Sequence, residues 1–270
     1  MSRPEGLPPV DRRFFMPETV WAQRGGEQVP ISRQKDPAAW QQAVDADDFV
    51  LSRVTGGGAP IASSTARPMM AQMIAALRVE AGMRVLEVGT GIGYNAACLA
   101  ALGAQVVTVE IDRVAADHAR AALRAAGYPG VVLITGDGEA GAPAHAPFDR
   151  VIITAAAHTV PYAWVEQTRP GGLIVVPWAP TIHPDGALAI LTVGDDGTAQ
   201  GRFTAPRRAT PPLHGQRLSW DAVYSAYRLW RAWGEPDRSR YGVTVTPEGQ
   251  DVWLDSPTHP VTFDLDAPGQ

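Results

Sequence analysis

From Pro68 to Val193 the chain alternates two kinds of segment. Short continuous apolar runs give way to stretches whose apolar residues recur every three or four positions. "PMMAQMIAALRV" has the spacing of an amphipathic helix, and "RVLEVG" reads as a buried strand. "YNAACLAALG" predicts a helix stopped at Gly103, followed by a second strand, "QVVTVEI". "RVAADHARAALRAAG" predicts an alanine-rich helix with Gly127 past its end, then a third strand, "GVVLITGD". "DRVIITAAA", "GGLIVVPW" and "ALAILTV" read as a fourth, fifth and sixth strand, with a short helix in "PYAWVEQTR". Strands that alternate with helices and are apolar throughout predict a parallel sheet covered on both faces. The expected fold is therefore α/β and doubly wound.

The pattern is weaker on either side. Residues 1 to about 61 are rich in Pro, Gly and charge. "DPAAWQQAV" still predicts a helix capped by Asp36 with Pro37 at its first position. "GGGAPIASSTARP" lacks helix or strand periodicity and reads as a flexible segment. After Ala205, Trp220, Tyr224, Tyr227 and Trp230 recur at helical spacing, which fits packing better than a peptide grip. "YGVTVTPEGQDVWLDSP" alternates about a turn like a hairpin. The expected organisation is an N-terminal extension with a substrate loop (1–67), an α/β core (68–204) and a mixed C-terminal appendage (205–270).

Composition changes this picture little. An apolar fraction of 45% suits a globular protein, and a net charge of −5 gives no sign of a nucleic-acid partner. The single cysteine, Cys98, excludes an internal disulfide and a Cys-rich metal site, and no other metal-ligand pattern stands out. Cys98 reads as a small core residue. No apolar run approaches membrane-spanning length, and the N-terminus lacks the apolar core of a signal peptide. A soluble, cytoplasmic, monomeric protein is expected.

The candidate chemistry begins where the first strand of the core meets a glycine turn, "VLEVGTGIGY". Gly89, Gly91 and Gly93 form G-x-G-x-G rather than the G-x-G-x-x-G of dinucleotide sites. Glu87, just before the turn, would repel a pyrophosphate but can accept from a cationic amino group. Glu110 ends the second strand about twenty residues on, where a carboxylate can bind ribose hydroxyls. Asp137, in the "TGDGEAG" that ends the third strand, can take the amine of an adenine. Three acids in this order resemble the site of class I S-adenosylmethionine-dependent methyltransferases, whose sheet is Rossmann-like. The resemblance implies a cofactor set of Ser64, Glu87, Gly89, Thr90, Gly91, Gly93, Glu110, Ile111, Asp137 and Gly138. S-adenosylhomocysteine is then the by-product.

The match is more specific than the superfamily. "VLEVGTGIGYNAACLAALGAQVVTVEID", "GDGEAGAPAHAPFDRVIITAAA" and "RPGGLIVVPW" resemble the protein L-isoaspartyl O-methyltransferase family. "VDRRFFMPE" is similar to that family's V-P-R-x-x-F-x-P-E segment, so the resemblance runs from about Val10 to about Val193. It is loosest between Val20 and Ala62. In the family a T-I-S-x-P segment lies between methyl donor and substrate carboxylate. Aligning Pro68 with that proline puts Ser64 at the threonine and Ala66 at the serine, with Met69 where the family has His or Tyr. The substrate-facing hydroxyl is thus missing, while Ser63, Ser64 and Thr65 crowd the same place and become the catalytic candidates. Arg67 can steer a carboxylate or pair with a local acid. His158 can touch substrate or lie in solvent.

The resemblance implies methyl transfer to a side-chain carboxylate, already ionised at neutral pH, so that alignment and desolvation replace a general base. The methyl ester then closes to an aspartimide as the following backbone nitrogen attacks it. A serine-rich loop and an additional C-terminal region resemble a branch that methylates an aspartate of a ribosomally made precursor peptide. That substrate, possibly macrocyclic, is the expectation. Repair of isoaspartyl proteins is the alternative, and a binding module that keeps the fold without catalysis is a third reading. Intact Glu87, Glu110 and Asp137 argue against the third.

Overall fold

The computed structural model describes residues 7–24, 27–54, 60–155, 157, 159–178, 185–208, 231 and 234–261. The chain divides into two compact units, Met1–His145 and Ala146–Gln270. The sequence boundaries at 67/68 and 204/205 fall inside these units.

The first unit opens with β1 (Thr19–Arg24), β2 (Glu27–Ser32), α1 (Pro37–Asp45), β3 (Val50–Val54) and β4 (Pro60–Ser64). Asp36 caps α1 as expected, its Oδ1 accepting the Ala39 amide at 2.9 Å. The four strands form an antiparallel sheet in the order β2-β1-β3-β4. This corrects the expectation of an irregular N-terminus and of a flexible stretch around the serines. The serines lie on β4, with Ser63 opposite Leu51 and Ser64 opposite Val50. Small polar residues give little periodic signal, so backbone pairing to the apolar β3 decides their conformation. Val20, Ile31 and Val50 are buried on one face of this sheet and Leu51 on the other.

The same unit continues with α2 (Arg67–Leu77), β5 (Arg84–Val88), α3 (Tyr94–Ala101), β6 (Gln105–Glu110), α4 (Arg113–Ala125) and β7 (Val132–Thr135). β5 pairs with β6 and β6 with β7, all parallel and in the alternating order expected. On α4 the buried residues are Ala115, Ala116, Ala119, Ala122 and Leu123, a single helical face. Leu86 and Leu99 are fully buried, as is Cys98, which takes the core position expected of it.

The second unit holds β8 (Phe148–Ile153), α5 (Tyr162–Glu166), β9 (Thr168–Trp178), β10 (Asp185–Val193), β11 (Ala199–Arg208), β12 (Tyr241–Thr246) and β13 (Gly249–Leu254). β8 and β9 are parallel, but β9 to β13 follow one another antiparallel. The sixth strand of the sequence reading, β10, is therefore antiparallel rather than parallel. Only residues 179–184 separate β9 from β10, too few for a crossover of about a dozen residues. The hairpin expected near the C-terminus is β12–β13, with Pro247 and Glu248 between the strands. It extends the antiparallel array through β11 rather than standing alone. The aromatic stripe at Trp220, Tyr224, Tyr227 and Trp230 lies outside the described residues.

Candidate active site

The carboxyl ends of three parallel strands put the acidic candidates along one edge, where ligands of open α/β sheets collect. Between β5 and α3 the chain makes a tight turn. Gly89, Gly91 and Gly93 have φ of +95°, +56° and +88°, a region side chains rarely adopt. The amides of Gly89 and Thr90 both donate to the Val109 carbonyl, at 2.9 and 3.2 Å, fastening the turn to β6.

Glu110, at the end of β6, makes this turn specific. Its Oε2 accepts the Gly91 amide at 2.7 Å and its Oε1 accepts the Asp112 amide at 3.0 Å. A carboxylate has about four lone-pair sites, so about two remain beyond these two amides. Ile111, beside it, is 55% exposed, a large apolar side chain held at the surface of the candidate site.

Asp137 is exposed and begins a short turn, its Oδ1 accepting the Glu139 amide at 2.9 Å. The turn is pressed against β5: a Cβ on Gly138 would lie 2.4 Å from Val88 Cγ1. Only glycine permits that approach.

Glu87 differs from expectation. Its side chain is fully buried beneath the turn instead of facing a ligand. Oε1 accepts from Asn95 Nδ2 at 2.7 Å, and Oε2 accepts from Thr108 Oγ1 at 2.6 Å. With Glu87 ionised, Thr108 spends its one hydroxyl hydrogen there, so in the 2.6 Å contact with Thr90 it is Thr90 that donates. The chain Thr90–Thr108–Glu87–Asn95 thus braces the turn from below. Burial pushes the Glu87 carboxyl up to about 7, opposed by the Thr108 and Asn95 bonds. Asn95 and Thr108 carry no motif that singles them out, and only their helix and strand positions relative to Glu87 bring them in.

The serine segment reaches the turn from the other side. A Cβ placed on Gly91 would sit 3.5 Å from the Ser63 carbonyl oxygen, in ordinary van der Waals contact. Ser64 is 5% exposed, while Ser63 and Thr65 are half-buried. Arg67 takes the local-acid alternative: its Nη2 pairs with Asp47 Oδ1 at 2.8 Å and donates to the Asp45 carbonyl, and its buried Nε has no hydrogen-bond partner. His158 lies outside the described residues. Among the described residues no group of three His, Cys, Asp or Glu is placed to hold a metal, and no helix is long and apolar enough to cross a membrane.

Sequence reading gave no role to Arg12, although it stands in the quoted "VDRRFFMPE". It is 4% exposed and its Nε donates to Ser64 Oγ at 3.1 Å.

Comparison with known proteins adds a family. Residues 47–193 match the family described as "Protein-L-isoaspartate(D-aspartate) O-methyltransferase (PCMT)". A protein-L-isoaspartate O-methyltransferase of Methylorubrum extorquens is 41% identical over 225 residues, covering 79% of this chain and 94% of the relative. That of Xanthobacter autotrophicus is 41% identical over 155 residues, covering 57% of this chain and 67% of the relative. A solved protein-L-isoaspartate O-methyltransferase superposes with a TM-score of 0.68, at 17% identity, over 92% of this chain and 93% of its own. A Plasmodium falciparum structure described as a putative member in complex with S-adenosyl-L-homocysteine gives a TM-score of 0.53, at 16% identity, over 65% and 84%. The fold is thus the Rossmann-like α/β methyltransferase fold, with a mixed sheet.

Proposed function

The chain belongs to the protein-L-isoaspartate(D-aspartate) O-methyltransferase family, and on that premise we propose that it methylates isoaspartyl carboxylates in proteins or peptides, with S-adenosylmethionine as donor. The observation that carries the reading is the approach of Ser63 to Gly91. It joins the serine segment to the turn that Glu110 holds, so that cofactor and substrate candidates share one place.

The residues suit the cofactor by their chemistry. Glu110 offers remaining acceptor sites for ribose hydroxyls, Asp137 an exposed acceptor for an adenine amine, and Ile111 an apolar surface for the base. Glu87 supports this set from beneath by holding β6 and α3 to the turn. Bound S-adenosylmethionine supplies an electrophilic methyl group on a sulfonium sulfur.

What the chain contributes is placement. An isoaspartyl carboxylate, with an ordinary pKa near 4, is ionised at neutral pH and needs no base. Ser63, Ser64 and Thr65 orient one oxygen in line with the methyl–sulfur bond and displace water from it. The methyl group that a bound donor would supply would pass to that oxygen, with S-adenosylhomocysteine as the leaving group. Arg67, paired with Asp47 and donating to the Asp45 carbonyl, holds the end of the segment in place.

The narrower reading, a dedicated precursor peptide methylated at aspartate on the way to an aspartimide, stands second. The observation that favours it is the departure at Ala66, where the family's substrate-facing hydroxyl is absent. The names carried by the family and by curated relatives favour isoaspartyl substrates.

The test incubates the protein and donor with three peptides: one isoaspartyl, its aspartyl twin, and a short peptide encoded beside this gene. Methyl ester on the isoaspartyl peptide alone is the expected result. Esterification of the neighbouring peptide only, followed by net loss of one water, would replace the main reading with the second.

A further inference from the structure

Arg12 joins three stretches of chain through one guanidinium. Nε donates to Ser64 Oγ at 3.1 Å, and Nη2 donates to the carbonyls of Ser64 at 3.1 Å and Thr65 at 3.2 Å. Nη1 reaches the carbonyls of Val44 at 3.3 Å and of Ala46 and Asp48 at 3.5 Å. All six acceptors are neutral oxygens. Burying a guanidinium against neutral oxygens is expensive, and it persists where a charge or a geometry is needed at that place. Burial pushes its pKa down to about 10, so it remains a cation at neutral pH.

The fork has a chemical consequence at Ser64. A hydroxyl carries one donor and two acceptor sites, so accepting from Arg12 leaves the Ser64 hydrogen available to donate. The same fork clamps both carbonyls that follow, which orients that hydroxyl. We propose that Arg12 is the positioning residue of the substrate site, fixing Ser64 and Thr65 and turning the Ser64 O–H, with a cation behind it, toward the carboxylate to be methylated. The proposal rests on the reading that the serine segment receives the substrate. A lysine cannot reproduce the fork, since its ammonium is a point charge without planar paired donors.

The test compares wild type with Arg12→Lys, Ser64→Ala and the double variant, after circular dichroism confirms folding. Arg12→Gln takes the place of Arg12→Lys if the latter does not fold. For an isoaspartyl peptide, Arg12→Lys should lower kcat/KM roughly tenfold, and less than about twofold when Ser64 is already alanine. Affinity for S-adenosylhomocysteine should change far less than kcat/KM. An equal loss in both backgrounds, or no loss, overturns the proposal, because Arg12 would then not act through Ser64. Amide hydrogen exchange at residues 63–66 is read in parallel. It should quicken in Arg12→Lys, and unchanged exchange overturns the proposal even if wild type methylates no isoaspartyl peptide and the functional reading itself fails.

Discussion

The Glu110 carboxylate accepts the Gly91 amide at 2.7 Å, so the acid we propose for a ribose is also the clasp of the glycine turn. Replacing it should therefore weaken ligand binding twice over. Glu110→Gln keeps one acceptor oxygen but loses the charge and half the acceptor sites. A loss of about 1.5–3 kcal/mol in S-adenosylhomocysteine affinity is expected, since bonds to charged groups are worth that much. Titration calorimetry measures it, and unchanged affinity would remove Glu110 from the site.

Gly138 and Val88 give a second test. The Cβ of Gly138→Ala would lie 2.4 Å from Val88 Cγ1, and Val88 is buried and stiff at χ1. Overpacking of this kind destabilises by about 1–3 kcal/mol and should also displace Asp137 next to it. Val88→Ala removes the clashing methyl, so the double variant should lose less stability than the two single losses added together. Strict additivity in urea denaturation would mean that the loop does not press on β5 as described.

Much of this was legible along the chain. The three parallel strands, the glycine turn and the acids at strand ends follow from apolar runs punctuated by glycine. What escaped notice depends on long-range pairing. The serines read as a loop because Pro, Ala and Ser carry no strand preference, yet β3 makes them a strand. Glu87 read as a ligand because its place in the motif shows where its backbone lies, not which way its side chain turns. Its partners, Asn95 and Thr108, come from the next helix and the next strand. Arg12 is 52 residues from Ser64, a separation no local pattern bridges.

Glu87 implies a pH dependence of stability. Its carboxyl is raised from 4.5 to about 7 in the folded chain by burial. Between these values the folded state holds a proton that the unfolded state has released, so stability from this group is full below about pH 4.5 and is lost as pH rises through 7. The loss above pH 7 is up to about 3 kcal/mol. Glu87→Gln carries no charge at any pH, and its amide can donate to the unpartnered Asn95 Oδ1 after an amide flip. The variant should gain on wild type as pH rises from 5 to about 8. Urea denaturation across that range checks it, and a constant difference between the two proteins rules the account out.

Trp253 tests what the C-terminal strands do. It is 3% exposed and lies across the strand pair from Gly242, where an added Cβ would meet its ring at 2.2 Å. Its Nε1 donates to Thr244 Oγ1 at 3.1 Å, and the Arg202 guanidinium sits 5.0 Å from its ring centroid. These contacts bind β11, β12 and β13 into one packed array, which is the work of a core residue. Trp253→Ala should cost about 3 kcal/mol of stability, as large-to-small changes at buried aromatics do. Gly242→Ala should also destabilise, because the indole occupies the space a methyl needs. At a temperature where both variants remain folded, kcat/KM for an isoaspartyl peptide should stay within about twofold of wild type, since neither residue belongs to the candidate site. A Trp253→Ala protein of normal stability that binds a gene-neighbour peptide more weakly would instead make this hairpin a recognition surface and move the balance toward the precursor-peptide reading.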